Sequence, residues 1–335
     1  MSLAHQLTHL KNLKKLFFHT PLLEIQVEIK GKLKKIYAKY EAFNFSGSIK
    51  DRMAYYIYEH AYKSELLKPE QSVIEVTSGN TGIAIAALGK FLDHEVTLVM
   101  PDWLSKERYL IIELIGANII KISKEEGGFI GSLELAKKIA MKKNMYYPDQ
   151  FSNEYNKKAH EKTTAPELVM QLKKLGLKPD RFVAGVGTGG TVMGFHDFFE
   201  KEVIDCKCHP LEPANSPVLS SGGKHIGSHR IQGISDEFIP ALVKLDKLNN
   251  IISVDDSESI ALARQINKMG LSVGISSGAN LLGALQLLIK YPDEIITTVF
   301  SDSSFKYLST DLCKKASDSV SLAHYPFKII DYKAY

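Results

Sequence analysis

An α/β fold built from parallel sheets is what this chain predicts, on three observations. Short β-rich apolar runs alternate with longer helical patterns, the loops closing several of those runs are rich in glycine and hydroxyl groups, and the 335 residues are 44% hydrophobic. Such alternation makes βαβ units and places sites at the carboxyl ends of the strands. The length suits two domains or one large α/β unit.

Strands are read at Ser72 to Val76, Glu95 to Met100, Asn118 to Ile122, Arg181 to Val186, Ile251 to Val254 and Glu294 to Phe300, with helices filling the gaps. The stretch Thr81 to Leu88 is apolar nearly all round, as suits a helix buried beside a sheet. Ser105 to Gly116 carries charge first and apolar residues afterwards, the order expected at a helix start. Asp255 with Glu258 three residues later forms a capping box and starts a helix directly after the strand ending at Val254. The polar stretch Pro148 to Asn156 separates two series of such units and is the candidate boundary.

Forty-two basic residues face 38 acidic ones, a net charge of +4 spread along the chain, so neither nucleic acid nor a membrane surface is an expected partner. No apolar run approaches the roughly 20 residues of a membrane span, and Met1 to Thr20 lacks the apolar core of a signal peptide. The expected location is the cytoplasm. Three cysteines, an odd number without framework spacing, point to a reducing compartment. Cys206 and Cys208 alternate along a strand without a second ligand pair, and are read as structural with no metal expected.

Four loops carry chemistry. Lys50 follows Asn44-Phe45-Ser46-Gly47-Ser48-Ile49 at the mouth of a helix; there it is either a solvated surface charge or an amine nucleophile. Gly187-Thr188-Gly189-Gly190-Thr191 follows an apolar strand and offers unblocked N–H groups at a helix start, which makes either an anion site or a tight strand-to-helix turn. Its spacing matches neither a P-loop nor a dinucleotide fingerprint, so a phosphate monoester fits better than a nucleotide. Thr77-Ser78-Gly79-Asn80-Thr81-Gly82 is a second loop of this kind with more side-chain donors, suited to a small carboxylate and an amide contact to a ring oxygen, and Gly274-Ile275-Ser276-Ser277-Gly278 is another. Anion loops together with a lysine suggest pyridoxal 5'-phosphate chemistry.

With these segments in this order the chain resembles the fold-type II pyridoxal-phosphate enzymes of the cysteine synthase (O-acetylserine sulfhydrylase) and cystathionine β-synthase group. The resemblance runs from His19-Thr20-Pro21-Leu22 to Tyr307-Leu308-Ser309-Thr310, and takes in Asp149-Gln150-Phe151, His160-Glu161-Lys162-Thr163-Thr164, Glu212-Pro213, Ser216-Pro217-Val218-Leu219 and Ile231-Gln232-Gly233-Ile234. It implies a tryptophan synthase β-like fold of two three-layer α/β/α domains with the active site between them. The smaller domain would span 43–151, and the larger 1–42 plus 152–335.

By the same resemblance Lys50 is the Schiff-base lysine and the group that moves the Cα proton. Asn80 contacts the ring hydroxyl, Gly187, Thr188, Gly189, Gly190 and Thr191 cradle the phosphate, and Ser276 meets the pyridine nitrogen. A serine there leaves the ring nitrogen less protonated and favours β-elimination. Thr77, Ser78, Thr81, Gln150 and Gly233 bind the substrate, and closure of the smaller domain over it starts catalysis. The chain departs from the family in Phe45-Ser46 and Val76, where proline is usual, and in Ser235-Asp236-Glu237, where sulfhydrylases carry small residues. Asp236 and Glu237 are either solvated loop charges or an acid/base beside the site.

The implied activity is cysteine synthase, forming L-cysteine from O-acetyl-L-serine and sulfide through an aminoacrylate. The alternative is a cystathionine β-synthase-like or cysteine-using enzyme, with serine or cysteine as donor and homocysteine, water or another thiol as acceptor. A third reading is an inert binding homologue. A homodimer and a serine acetyltransferase C-terminal peptide are the implied partners.

Overall fold

The computed structural model describes residues 3–314, 322 and 325–335. Strands β3 (Val73–Val76), β4 (Val96–Pro101) and β5 (Asn118–Ile122) form a wholly parallel three-stranded sheet. Its side chains alternate between two cores, as strand periodicity requires. Val96, Leu98 and Met100 enter one cluster with Tyr55 and Tyr58 of helix α2 (Lys50–Lys63) and Ile83 and Ile85 of α3 (Asn80–Phe91). Ile74, Val76 and Val99 enter another with Phe129, Ala136 and Ala140 of α5 (Gly128–Lys143). Helix α4 (Lys106–Ile115) ends at Gly116, whose φ of 87° supplies the left-handed stop expected for glycine there.

The larger sheet has seven strands in the order β10-β1-β2-β9-β6-β7-β8. Strands β6 (Arg181–Gly185), β7 (Lys207–Pro213), β8 (Ile252–Val254) and β9 (Ile296–Phe300) continue in parallel from β2 (Lys32–Tyr40). Strands β1 (Leu22–Ile29) and β10 (Phe327–Ala334) close the edge in antiparallel fashion. One face is covered by α9 (Asp256–Lys268) and α10 (Ile275–Lys290), the other by α7 (Ala165–Lys174) and α8 (Gly190–Lys201), with α6 (Glu154–Ala159) leading in. Asp255 caps α9 by accepting from the N–H groups of Ser257 and Glu258.

The six strands read from the sequence appear within two residues of their expected ends. Four others, β1, β2, β7 and β10, are not among these six, although the alternation of Cys206 and Cys208 points to a strand where β7 runs. Strand β2 reads Lys-Leu-Lys-Lys-Ile-Tyr-Ala-Lys-Tyr, lysine-rich because its outer half is solvated. The Lys30-Gly31 turn, at φ of 50° and 77°, has the two positive angles of a tight hairpin. Grouping all of 1–42 with the larger unit needs correction. Helix α1 (Leu3–Asn12) and the residues after it send Leu10 and Phe17 into the core of the three-stranded unit, because that cluster offers the apolar surface of Tyr55, Tyr62 and Leu92.

Beneath the start of α2 lies a fully buried ionic cluster. Arg52 Nε and Nη2 donate to Glu41, its Nη1 and Nη2 donate to Glu167 at 2.8 Å, and Lys39 Nζ joins Glu167 at 3.1 Å. Two cations face two anions, so no net charge is buried and each ion is hydrogen-bonded, the condition under which buried ions are tolerated. The cluster anchors the turn of helix that carries Lys50.

Candidate active site

Lys50 is the first residue of α2, and the loop before it is fixed from both sides. Asp51 accepts from the backbone N–H groups of Ser46 and Ser48, while Lys306 donates to the carbonyls of Ser46 and Gly47. Gly47 stands at φ 83°, a conformation that favours glycine. Burial lowers the pKa of the Lys50 amine from its ordinary value, against the opposing pull of Asp236 and Asp302. A lysine so placed is more nucleophilic at neutral pH than a surface lysine.

The loop after β3 is built on Thr77, whose Oγ1 accepts from the N–H groups of Gly79 and Gly82 at 2.9 and 3.0 Å. Gly79 has φ 138°, and a Cβ there would lie 2.4 Å from Arg108 Cδ. Thr81 Oγ1 donates to Gln150 Oε1 and Gln150 Nε2 donates to the Val76 carbonyl, both at 2.6 Å. Gln150 is in turn held by its N–H to the buried carboxyl of Glu75 at 3.2 Å.

Burial pushes the pKa of Glu75 up to about 8, although the N–H groups of Val76 and Gln150 pull it down. Its ordinary value is 4.5, so the folded protein holds the extra proton between these values and loses stability as the pH rises through that window. Glu75→Gln removes the titrating group but sets its amide nitrogen against one of the two backbone N–H groups that the carboxyl accepts from, and is expected to cost about 1–3 kcal/mol. It should also flatten the fall of Tm between pH 5 and about pH 8. Thermal melts of both proteins across that range check this; a parallel fall in the two would refute it.

At the end of β6 the loop Gly187 to Thr191 runs into α8. A Cβ on Gly187 would come within 2.5 Å of the Gly233 carbonyl, on Gly189 within 2.2 Å of Val243, and on Gly190 within 2.1 Å of Asn156 Oδ1. All three glycines are thus sterically required. Asn156 Nδ2 ties Thr188 Oγ1 and the Gln150 carbonyl together, each at 2.8 Å. The loop's backbone N–H groups, at the positive end of a 12-residue helix, make a cradle for a small dianion. Ser276, in the first turn of α10, is 5% exposed.

These loops converge. Lys50, Ser78, Asn80, Thr81, Gln150, Gly187, Thr188, Thr191, Gly233, Asp236 and Ser276 line one cavity. Of the residues expected at the site, four are not among its walls: Gly189 and Gly190, which pack against Val243 and Asn156, and Thr77 and Glu237. The hydroxyl of Thr77 is turned to its own loop's N–H groups, and Glu237 lines an outer cleft instead. That cleft, of about 640 Å³, continues the cavity past Gln232, Gly233 and Asp236 to Trp103, Lys106 and Lys124. Asp236 is half-buried, and desolvation raises its pKa to about 6, aided by Glu237 and opposed by Lys50. His160, buried behind Thr191, is held neutral by burial and by the charges of Lys50 and Arg52.

Sequence reasoning missed Arg108, Asn280, Asp302 and Lys306. Arg108 and Asn280 line the cavity, and Asp302 and Lys306 both bond Asn80. For Asp302 the signal was position, since Ser301 to Ser304 is a polar run at the carboxyl end of a strand read from the sequence.

The residue set fits pyridoxal 5'-phosphate. It offers a loop whose three glycines pack too closely on Gly233, Val243 and Asn156 for any Cβ, leaving its N–H groups unblocked, with an amine, a carboxamide and a hydroxyl around one cavity. The model of the family described as pyridoxal-phosphate dependent enzyme matches residues 13–302. Cysteine synthase B of Campylobacter jejuni is 40% identical over 278 residues, 83% of this chain and 91% of that protein. The probable cysteine synthase of Bacillus subtilis is 39% identical over 296 residues, 88% of this chain and 94% of its own length. Among solved structures, a hydrogen sulfide-producing enzyme from Fusobacterium nucleatum superposes with a TM-score of 0.92 at 46% identity, covering 98% of this chain and 99% of the other. The cysteine synthase of Entamoeba histolytica gives 0.82 at 32%, covering 92% of each chain.

Proposed function

The chain belongs to the pyridoxal-phosphate-dependent enzyme family, and from that membership we propose that it breaks the Cβ–S bond of L-cysteine and releases sulfide. Water or a second thiol takes the vacated β-position; with water the products are L-serine and hydrogen sulfide, and every atom is accounted for.

Asp236 carries this reading. Acetate is a weak base and leaves O-acetylserine unaided, whereas the sulfur of cysteine, whose thiol pKa is about 8.5, departs more readily when it receives a proton. A carboxyl with a pKa of about 6 at the wall of the same cavity as Lys50 is suited to give that proton and then to take one from the incoming water. Likeness to a hydrogen sulfide-producing enzyme supports the same reading.

The bound cofactor supplies an electron sink that lets the substrate Cα–H bond break. Lys50 holds the cofactor and moves the Cα proton. The N–H groups of Gly187 to Thr191 hold the phosphate, Asn80 and Ser276 meet the ring, and Ser78, Thr81 and Gln150 orient the substrate carboxylate. Gly233 shapes the wall next to Asp236.

The second reading is synthesis of L-cysteine from O-acetylserine and sulfide, which identity to cysteine synthases across most of the chain favours. Feeding the holoenzyme L-cysteine, L-serine, or O-acetylserine with sulfide in separate reactions decides between them. Sulfide and serine formed from cysteine at a rate at least comparable to cysteine formation from O-acetylserine is the expected result. Turnover of O-acetylserine alone would transfer the conclusion to the second reading.

A further inference from the structure

Asn80 begins α3 on the three-stranded unit, yet its carboxamide is gripped by two residues that follow β9 in the seven-stranded sheet. Its Oδ1 accepts from Lys306 Nζ at 3.0 Å, and its Nδ2 donates to Asp302 Oδ2 at 2.8 Å. The polarity of these partners is unambiguous. Lys306 aims its three hydrogens at three acceptors, the Ser46 and Gly47 carbonyls and Asn80 Oδ1, as an ammonium does. Asp302 Oδ2 takes a second donor, the Tyr307 hydroxyl, at 2.8 Å, as a carboxylate does. An amide between an ammonium and a carboxylate has one stable orientation, because the flipped amide would set donor against donor and acceptor against acceptor.

The grip is rigid as well as polar. Asp302 and Lys306 are 0% and 4% exposed, and Tyr307 is fully buried beneath the Arg108 guanidinium, 5.1 Å from its ring centroid. A Cβ on Gly274 would lie 2.1 Å from Asp302 Oδ1, so glycine at that position keeps room for the carboxylate.

We infer that Asp302 and Lys306 act as a clamp that fixes the orientation of Asn80, so that its free Nδ2 hydrogen is presented as a donor to the ring oxygen of the bound cofactor. A donor there stabilises the ionised oxygen, the yellow form of a lysine-bound cofactor, over the protonated form that absorbs in the near ultraviolet. Asp302 and Lys306 are positioning residues, since they act through Asn80. The inference rests on Asn80 being the ring oxygen's partner, and does not depend on which donor substrate the enzyme uses.

The test is the absorption spectrum of the holoenzyme without substrate. In Lys306→Met the ratio of yellow to near-ultraviolet form is expected to fall about tenfold, the effect of one hydrogen bond to a charged acceptor. Lys306→Arg should restore most of it. Asn80→Ala should show the same fall, and the double variant Asn80→Ala/Lys306→Met no more than Asn80→Ala alone, since coupled residues are not additive. Asp302→Asn, of equal volume, carries the test if Lys306→Met does not fold. A shift in Asn80→Ala with none in the Lys306 and Asp302 variants overturns the clamp; no shift in any of them overturns the role of Asn80 itself.

Discussion

Lys50→Ala is expected to lower kcat/KM by at least about 10³-fold on any donor substrate, because one side chain both holds the cofactor and moves the Cα proton. The purified variant should retain the cofactor only as the free aldehyde in the Gly187 to Thr191 cradle, so that it is removed by dialysis and is not fixed to the chain by borohydride. A small primary amine added in excess should recover part of the activity, since it restores the lost group at the lost position. Lys50→Arg should stay inactive, as a guanidinium remains charged at any working pH and cannot serve as the amine. The fold should not suffer. Burial lowers the Lys50 pKa, so in the cofactor-free protein the lysine's contribution to stability falls as the pH drops below its ordinary value towards the lowered one. Alanine removes that penalty. A Tm for cofactor-free Lys50→Ala not below that of the cofactor-free parent, with the loss of turnover, is the outcome that identifies a functional rather than a structural lysine. Retention of a tenth or more of the parental turnover without added amine would remove Lys50 from its role.

The same tension between stability and chemistry explains what the sequence made legible. Strands buried on both faces write themselves as short apolar runs, so β3, β4, β6 and β9 were readable, and the glycines at their ends were readable because a side chain has nowhere to go: the Cβ clashes at Gly187, Gly189 and Gly190 lie at 2.5 Å or less. The β1–β2 hairpin was not, because half of β2 faces water and its lysines hide the alternation. Lys39 shows the difficulty well. It reads as one more surface lysine, yet it is fully buried against Glu167, a partner 128 residues away. Asp302 and Lys306 belong to the same class, for their meaning lies in Asn80, more than 200 residues earlier. Local pattern reveals which backbone must be glycine and which face must be apolar; it does not reveal which distant charge a polar residue answers.

Asp236→Asn is the second large effect, and its direction differs between substrates. With L-cysteine as donor, kcat/KM is expected to fall by about 10²- to 10⁴-fold, the usual contribution of a positioned proton donor. With O-acetylserine, whose leaving group needs no proton, the loss should stay within about threefold. The pH profile carries independent information. A carboxyl at about pH 6 that must be protonated to release sulfide gives a rate that declines as the pH rises through 6, whereas one that must be ionised to activate water gives a rate that climbs there. Either limb should vanish in the asparagine variant. Stability moves the opposite way from activity. The carboxyl's pKa rises on folding from its ordinary 3.8 to about 6, so its contribution to stability is complete below 3.8 and lost as the pH rises through 6. Asparagine resembles the neutral acid and escapes that loss, so Asp236→Asn should melt higher than the parent at pH 7.5 and level with it at pH 4. Calorimetry at the two pH values, set beside rates on the two donors, makes the case: equal rate losses on cysteine and O-acetylserine would mean that Asp236 only shapes the cavity, and sulfide release would then need another proton source.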